Sequence, residues 1–239
     1  MNTPQSRWGS KCEISDKFID KVAKLGVMEQ AISINAVKQN KQAKKTDGKK
    51  TSSVRGIPKL IDANYAGTAK SHQCTLILCE GDSAKAGIVS GMSREDRNYY
   101  GVYPLKGKLM NVRDASITKI SNNNEFTELK KIVGLETNKK YKDADDVKKC
   151  LRYSKIMFMT DQDLDGTHIK GLGVNLFDSM WGDLIEMESF IGFMNTPILK
   201  AKKGTTELCF YNDKEYEEWK EINSTKGWKI KYYKGLGTS

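Results

Sequence analysis

Leu76-Ile77-Leu78-Cys79-Glu80-Gly81-Asp82-Ser83-Ala84 and Ile156-Met157-Phe158-Met159-Thr160-Asp161-Gln162-Asp163-Leu164-Asp165-Gly166 share one plan. In each, a short apolar run ends in carboxylates. Such a run reads as a buried strand with acids at its C-terminal tip. In open parallel sheets that edge is where ligands bind. Carboxylates gathered there repel one another unless a cation lies between them. One or two carboxylates, several waters and a phosphate form the environment that Mg²⁺ favours. The two segments together point to a parallel α/β sheet and to metal-assisted phosphate chemistry.

Outward from these segments the chain alternates. The strand at 74–79 precedes a helix beginning near Ser83, and a short strand at 102–105 leads into a basic turn. Helical patterns cover 124–134 and 143–151. The strand at 155–159 precedes a helix over about 166–180. The tail is β-rich at 198–201, 207–211 and 228–233, with a helix at 214–221. Alternation of this kind, with acids at strand tips, implies a parallel α/β sheet. Upstream, Ser15 is placed to cap a helix carrying Phe18, Ile19, Val22 and Leu25 at helical spacing, stopped by Gly26. A second helical pattern (Val27, Ala31, Ile34, Val37) runs into a basic tract at 38–59, with eight Lys or Arg and one acid, Asp47. Its middle, 45–53, has loop or disordered composition. The expected organisation is a helical segment at 1–45, a basic linker at 46–69 and an α/β domain with a β-rich extension at 70–239.

The chain has 239 residues and a formal charge of +10. That excess favours a polyanionic partner through counterion release from phosphates. Five scattered cysteines (Cys12, Cys74, Cys79, Cys150, Cys209) form no CxxC pair and no zinc spacing, as expected of reduced intracellular thiols. The N-terminus has no signal-peptide pattern, and no apolar stretch reaches membrane-spanning length. The expected setting is the cytosol or the nucleus, with no membrane partner.

Asp161-x-Asp163-x-Asp165-Gly166 copies the first half of an EF-hand loop, but the copy fails at its twelfth position, Leu172, where a bidentate Glu is required. An acidic turn at a helix N-terminus is the plain alternative; the pairing with Glu80 favours a metal site. Asp82 and Ser83 read as helix N-cap residues. Pro104-Leu105-Lys106-Gly107-Lys108-Leu109-Met110-Asn111-Val112-Arg113 sets three cations around a glycine, where Lys106, Lys108 and Arg113 are candidates to grip phosphates. Neither Gly48-Lys49 nor Gly107-Lys108 completes a Walker A motif. His168 follows the acidic turn closely enough to contact a phosphate or a scissile nucleotide, with a plain helix-surface histidine as the alternative. Tyr99, Tyr100, Tyr232 and Tyr233 read as packing residues rather than nucleophiles.

EGDSA at 80–84, PLKGKLMNVR at 104–113, DQDLDGTHIKGL at 161–172 and YYKGLGTS at 232–239 resemble the metal-binding core of type IIA DNA topoisomerases, in the eukaryotic and large-virus branch. The resemblance covers essentially the whole chain. Residues 7–45 resemble the end of the transducer region, RGIPKLIDANYAG at 55–67 the linker that follows, and residues from about 70 the Toprim domain, a Rossmann-like parallel sheet flanked by helices. It implies that Glu80, Asp161 and Asp163 are catalytic Mg²⁺ ligands, supported by Asp165, with Mn²⁺ or Ca²⁺ as substitutes. It implies DNA-facing roles for Lys106, Lys108, Arg113 and His168. It further implies double-stranded DNA as substrate and a winged-helix domain whose tyrosine attacks the DNA phosphate. The parent enzyme is expected to be an ATP-hydrolysing homodimer whose ATP site lies in a separate domain, and this chain is expected to be inactive alone. The competing classes are a Toprim nuclease or primase, and a non-catalytic DNA-binding module. The ordered motifs at both ends argue against the first, and the intact acids against the second.

Overall fold

The computed structural model describes residues 14–161, 163–194 and 196–233, in two compact units divided after Gln42. In the first, Ser15 occupies the N-cap position of α1 (Asp16–Lys24) without a side-chain cap bond. Gly26, at φ 66°, turns the chain into α2 (Val27–Lys44). The apolar residues that mark these helices in the sequence, among them Phe18, Ile19, Leu25, Ile34 and Val37, are exposed.

The second unit is built on four parallel strands: β1 (Thr75–Glu80), β2 (Tyr100–Leu105), β3 (Lys155–Met159) and β4 (Ile191–Met194), in the order β2-β1-β3-β4. Every residue of β1 before Glu80 is buried, as expected of a strand covered on both faces. Its alternation divides the core. Leu76 and Leu78 join Tyr103, Leu105, Phe158, Ile169 and Phe177 on one face, whereas Ile77 and Cys79 join Val102 with Ala84, Ile88 and Val89 on the other. The crossovers carry α3 (Gly81–Gly91), α4 (Asp96–Tyr99), α5 (Ile117–Ser121), α6 (Asn124–Val133), α7 (Ala144–Cys150) and α8 (Leu164–Ile185). A smaller antiparallel sheet follows: β5 (Leu199–Lys203), β6 (Thr206–Phe210) and β7 (Lys229–Tyr232), in the order β6-β5-β7, with α9 (Asp213–Ile222) between the last two in sequence. Leu199, Ala201, Phe210 and Tyr216 form its own core, with Trp219 and Trp228 packed against it. The α/β class, the parallel sheet and the β-rich extension agree with the sequence reading.

Four elements differ from that reading: the short helices α4 and α5 were not anticipated, and β4 and α8 depart as follows. β4 went unrecognised because Gly192 interrupts its apolar residues and none of its four residues is fully buried, so it shows no strand period. α8 runs on to Ile185 past a break at Trp181 (φ −148°, ψ 59°), whose indole N–H donates to the Glu136 carbonyl at 2.8 Å.

The tract at 45–53 is irregular, as its composition suggests, yet firmly bonded. Lys130, almost completely buried, donates from Nζ to Asp47 Oδ1 and Thr137 Oγ1 (each 2.7 Å) and to the Ala43 carbonyl and Thr46 Oγ1 (each 3.2 Å). Arg152, fully buried, donates to the Thr51 carbonyl (2.7 Å), the Ile132 carbonyl (2.8 Å) and the Asp62 carboxylate. The Tyr153 hydroxyl donates to Asp62 and accepts from the Ala63 N–H at 2.9 Å. Gly67, at φ 72°, approaches so closely that a Cβ would lie 1.9 Å from the Thr51 carbonyl oxygen. Buried cations demand partners, and here residues 43–63 supply them. Removing the anion alone leaves Arg152 charged and unpaired in the interior, so Asp62→Ala is expected to lower stability by about 3 kcal/mol, read from urea denaturation midpoints. A loss well under about 1 kcal/mol would show that the pair behaves as a surface ion pair.

Candidate metal and nucleic-acid site

Three strand ends meet at one edge. β1 lies between β2 and β3, with Glu80 opposite Leu105 and Cys79 opposite Met159. Lys106 directly follows Leu105, and Asp161 lies two residues beyond Met159. The register therefore lines up a cation, Glu80 and an acid along the C-terminal edge. From β1 the chain runs out to β2 on one side and later to β3 on the other, which makes this edge a topological switch point.

Glu80 ends β1 and is half-buried. Burial holds its carboxyl above the usual carboxylate range, and the charges of Asp163, Asp161 and Asp165 push it further the same way, opposed by Lys108. Gly81, at φ 81°, turns the strand directly into α3, so Glu80 itself takes the N-cap position, without a side-chain cap bond. This corrects the expectation for Asp82 and Ser83, which lie inside the first turn of α3. Asp82 pairs instead with Lys59 at 2.7 Å, and that hydrogen bond lowers its pKa.

The second acidic segment is held by its own backbone. Asp163 caps α8, accepting from the Gly166 N–H at 2.7 Å on Oδ1. Buried Thr160 donates from Oγ1 to the Gly166 carbonyl at 3.1 Å. A Cβ at Gly166 would lie 1.9 Å from the Asp161 carbonyl oxygen, so the turn closes only around glycine. Asp165 is exposed and pairs with Lys108 Nζ at 2.8 Å; that bond and the charge of Lys108 lower its pKa, opposed by slight desolvation and aided by His168. Lys106, Lys108, Arg113 and His168 are all exposed, the first three on the turn after β2 and His168 on the first turns of α8. A cleft of about 430 Å³ opens beside the acids, lined by Glu80, Ser83, Ala84, Gly87, Ile88, Met159 and Asp161.

The three predicted aspartates thus all lie within electrostatic reach of Glu80. Among the described residues, no three His, Cys, Asp or Glu side chains converge as a finished ligand set. Asp163 is engaged with Gly166 and Asp165 with Lys108. The donor chemistry nonetheless fits a hard divalent cation, which needs only one or two carboxylates with waters and phosphate oxygens. Burial is the main reason the Glu80 pKa is raised, and the neighbouring aspartates add a like-charge contribution that a cation would relieve. Sequence reasoning did not find Lys59, Thr160, Glu125 or Asn175. Only Lys59 carried any signal, as part of the basic tract, and its partner lies 23 residues away. The KGLGTS ending and residues 1–13, which include Cys12, lie outside the described residues, as does Gln162 within the acidic turn.

Residues 75–192 match the Toprim domain model, and residues 194–239 match the C-terminal associated domain of TOPRIM. The chain thus carries a Toprim domain followed by the domain associated with it. The sequence is 53% identical over 239 residues to DNA topoisomerase 2 of Arabidopsis thaliana, covering 98% of this chain and 16% of that protein. It is 50% identical over 239 residues to DNA topoisomerase 2 of Acanthamoeba polyphaga mimivirus, covering 98% of this chain and 18% of that one. The DNA-binding, cleavage and re-ligation domain of Plasmodium falciparum topoisomerase II superposes with a TM-score of 0.72 at 50% identity, over 79% of this chain and 25% of that structure. The type IIA resemblance, with its eukaryotic and large-virus branch, holds on these relatives, and the chain spans about one sixth of the length of the curated proteins it matches.

Because Glu80 is raised above its unfolded value, its ionised form opposes folding at neutral pH, and the penalty fades as pH falls through the raised pKa. Glu80→Gln is therefore expected to raise the melting temperature of the metal-free chain by roughly 2 °C and to diminish the stabilisation that added Mg²⁺ gives the unaltered chain. Differential scanning calorimetry with and without Mg²⁺ reads both. A Gln variant that melts lower and keeps the full Mg²⁺ response contradicts the assignment.

Proposed function

We propose that this chain is the metal-binding and DNA-engaging part of an ATP-dependent type II DNA topoisomerase, in which it supports reversible cleavage of both DNA strands. What carries the reading is the alignment of opposite charges on one sheet edge: Glu80 and the acidic turn beside the cationic turn of Lys106, Lys108 and Arg113. The ordered matches to DNA topoisomerase 2 support it.

In this reading Glu80, Asp161 and Asp163 hold Mg²⁺, and Asp165 assists through water or by orienting Lys108. The ion supplies charge neutralisation at the reacting phosphate and stabilisation of the departing 3′-oxygen. The nucleophile is a tyrosine on a winged-helix domain of the parent enzyme, which forms a 5′-phosphotyrosyl link. Lys106, Lys108 and Arg113 grip neighbouring phosphates and so fix the scissile one against the acidic edge. His168, on the first turns of α8, faces the same backbone. The helix N-terminus behind the acidic turn adds partial positive charge there. ATP is hydrolysed in a separate domain, and the parent enzyme works as a homodimer. Its site of action is wherever its DNA resides: the nucleus for a cellular protein, the cytoplasm or a virus factory for a viral one.

Asp161→Ala or Glu80→Ala in the full-length enzyme is expected to abolish DNA cleavage, a loss of about a hundredfold or more, and to leave ATP hydrolysis largely intact. A plasmid cleavage assay run beside a phosphate-release assay checks this; cleavage at the unaltered rate rejects the assignment. The chain by itself is expected neither to cut DNA nor to hydrolyse ATP, and strand scission by it in Mg²⁺ would overturn the proposed division of labour.

A further inference from the structure

The basic turn at 106–113 is a surface loop whose charges are exposed, yet its backbone is fastened at both ends. At its start the Lys106 N–H donates to Glu125 Oε1 at 2.7 Å. At its end the Val112 N–H donates to Asn175 Oδ1 at 3.3 Å. Leu109 and Val112 are buried in the main core, while Lys106 and Arg113 are exposed and Lys108, also exposed, pairs with Asp165. Gly107, at φ 140°, makes the reversal between Lys106 and Lys108.

Each fastening residue is itself well placed. Glu125 lies in the first turn of α6, where Asn123 caps the helix by accepting from the Phe126 N–H at 2.9 Å. Glu128, one turn on, accepts from the hydroxyl of Tyr103, a buried residue of β2. The start of the turn is thus tied to α6 twice, through Tyr103 on the strand and through Lys106 just past it. Asn175 lies on α8, the helix whose first residues follow Asp163. The same rigid helix therefore sets the acidic turn at its N-terminus and, three turns on, the end of the basic turn. Burial raises the pKa of Glu125, with Lys106 opposing the rise. A carboxylate is the wrong group to meet a phosphate, so Glu125 does not serve as a DNA contact.

We propose that Glu125 and Asn175 are positioning residues that clamp the two ends of the 106–113 turn and so hold Lys106, Lys108 and Arg113 in register with the acidic edge for DNA phosphates. The proposal rests on the DNA-engaging reading above and deepens it by assigning the residues that fix the geometry of the cationic turn. It commits to an effect opposite in sign to simple electrostatics. Neutralising an acid beside a DNA-binding surface strengthens binding when charge alone matters. Loss of the clamp weakens binding, because three flexible cations must then be ordered at the moment of contact.

The test compares Glu125→Gln with Glu125→Ala in the 239-residue chain. Both remove the same charge, and only Gln keeps an acceptor for the Lys106 N–H. Affinity for a short labelled duplex is measured by fluorescence anisotropy across a salt series, and amide hydrogen exchange is followed without DNA. Glu125→Gln is expected to bind at least as tightly as the unaltered chain. Glu125→Ala is expected to bind roughly five- to tenfold more weakly than Glu125→Gln, with a shallower salt dependence and at least about tenfold faster exchange at the Lys106 amide. Equal or tighter binding by the Ala variant, or an unchanged Lys106 amide, overturns the clamp. Should Glu125→Ala fail to fold, Asn175→Ala carries the same comparison at the Val112 amide, and unchanged exchange and affinity there overturn it as well. Absence of salt-dependent DNA binding by the unaltered chain would instead overturn the DNA-engaging reading, and the two failures are distinguishable because amide exchange is read with no DNA present.

Discussion

The parallel register of β1 against its two neighbours is the constraint on which the site depends. Glu80 stands where it does because Cys79 is paired with Met159 and Glu80 with Leu105. One step of slippage along either pairing would move a strand end by about 3.3 Å and turn each side chain to the opposite face. The register is held by burial on both faces: Leu76 and Leu78 belong to one core, Ile77 and Cys79 to another. Those four residues cannot exchange faces without unmaking both clusters. The chemistry at the edge is therefore fixed by the packing beneath it.

Like charge is concentrated at this edge, and the protein offsets part of it with its own groups. Asp163 receives the Gly166 N–H, Asp165 receives Lys108, and Asp82 receives Lys59. Lys59 arrives on the segment that Lys130 and Arg152 fasten down through Asp47, Thr51 and Asp62. A buried cation is costly without its anion, so these two residues specify the path of the chain from residue 43 to residue 63. The path in turn brings Lys59 beside the first turn of α3. Fold and site are connected here through charge as well as through packing.

Much of this was legible in the residues. The strands at 75–80 and 155–159 announce themselves as apolar runs, and the acids that follow them mark the edge that matters. The antiparallel extension was legible from short β-rich runs with a helix between them. What was hidden has a common cause. Lys130 and Arg152 are residue types that normally remain in water, and only the anions folded against them, from far away in sequence, allow them inside. Glu125 is 19 residues from the amide it holds and Asn175 is 63 residues from its own, so no local pattern could pair them. β4 lacks a buried face that would give it a period. The N-cap of α3 shifted because Gly81 bends the chain sooner than the Asp-Ser pair suggests.

The charge pattern also explains why metal and nucleic acid belong together in the proposed activity. A chain with a formal charge of +10 attracts a polyanion over a distance set by salt. In the proposed activity the acidic edge, with its four carboxylates, would repel at close range the phosphate that the basic turn is proposed to hold. A divalent cation reverses the local sign without altering the rest of the surface. In the proposed activity phosphate oxygens would complete the coordination that carboxylates and water begin, so each ligand would improve the site for the other. That coupling is reciprocal by thermodynamic necessity. On the proposed clamp, a fixed cationic turn would strengthen this coupling, because a loose one would let the phosphate retreat from the acids.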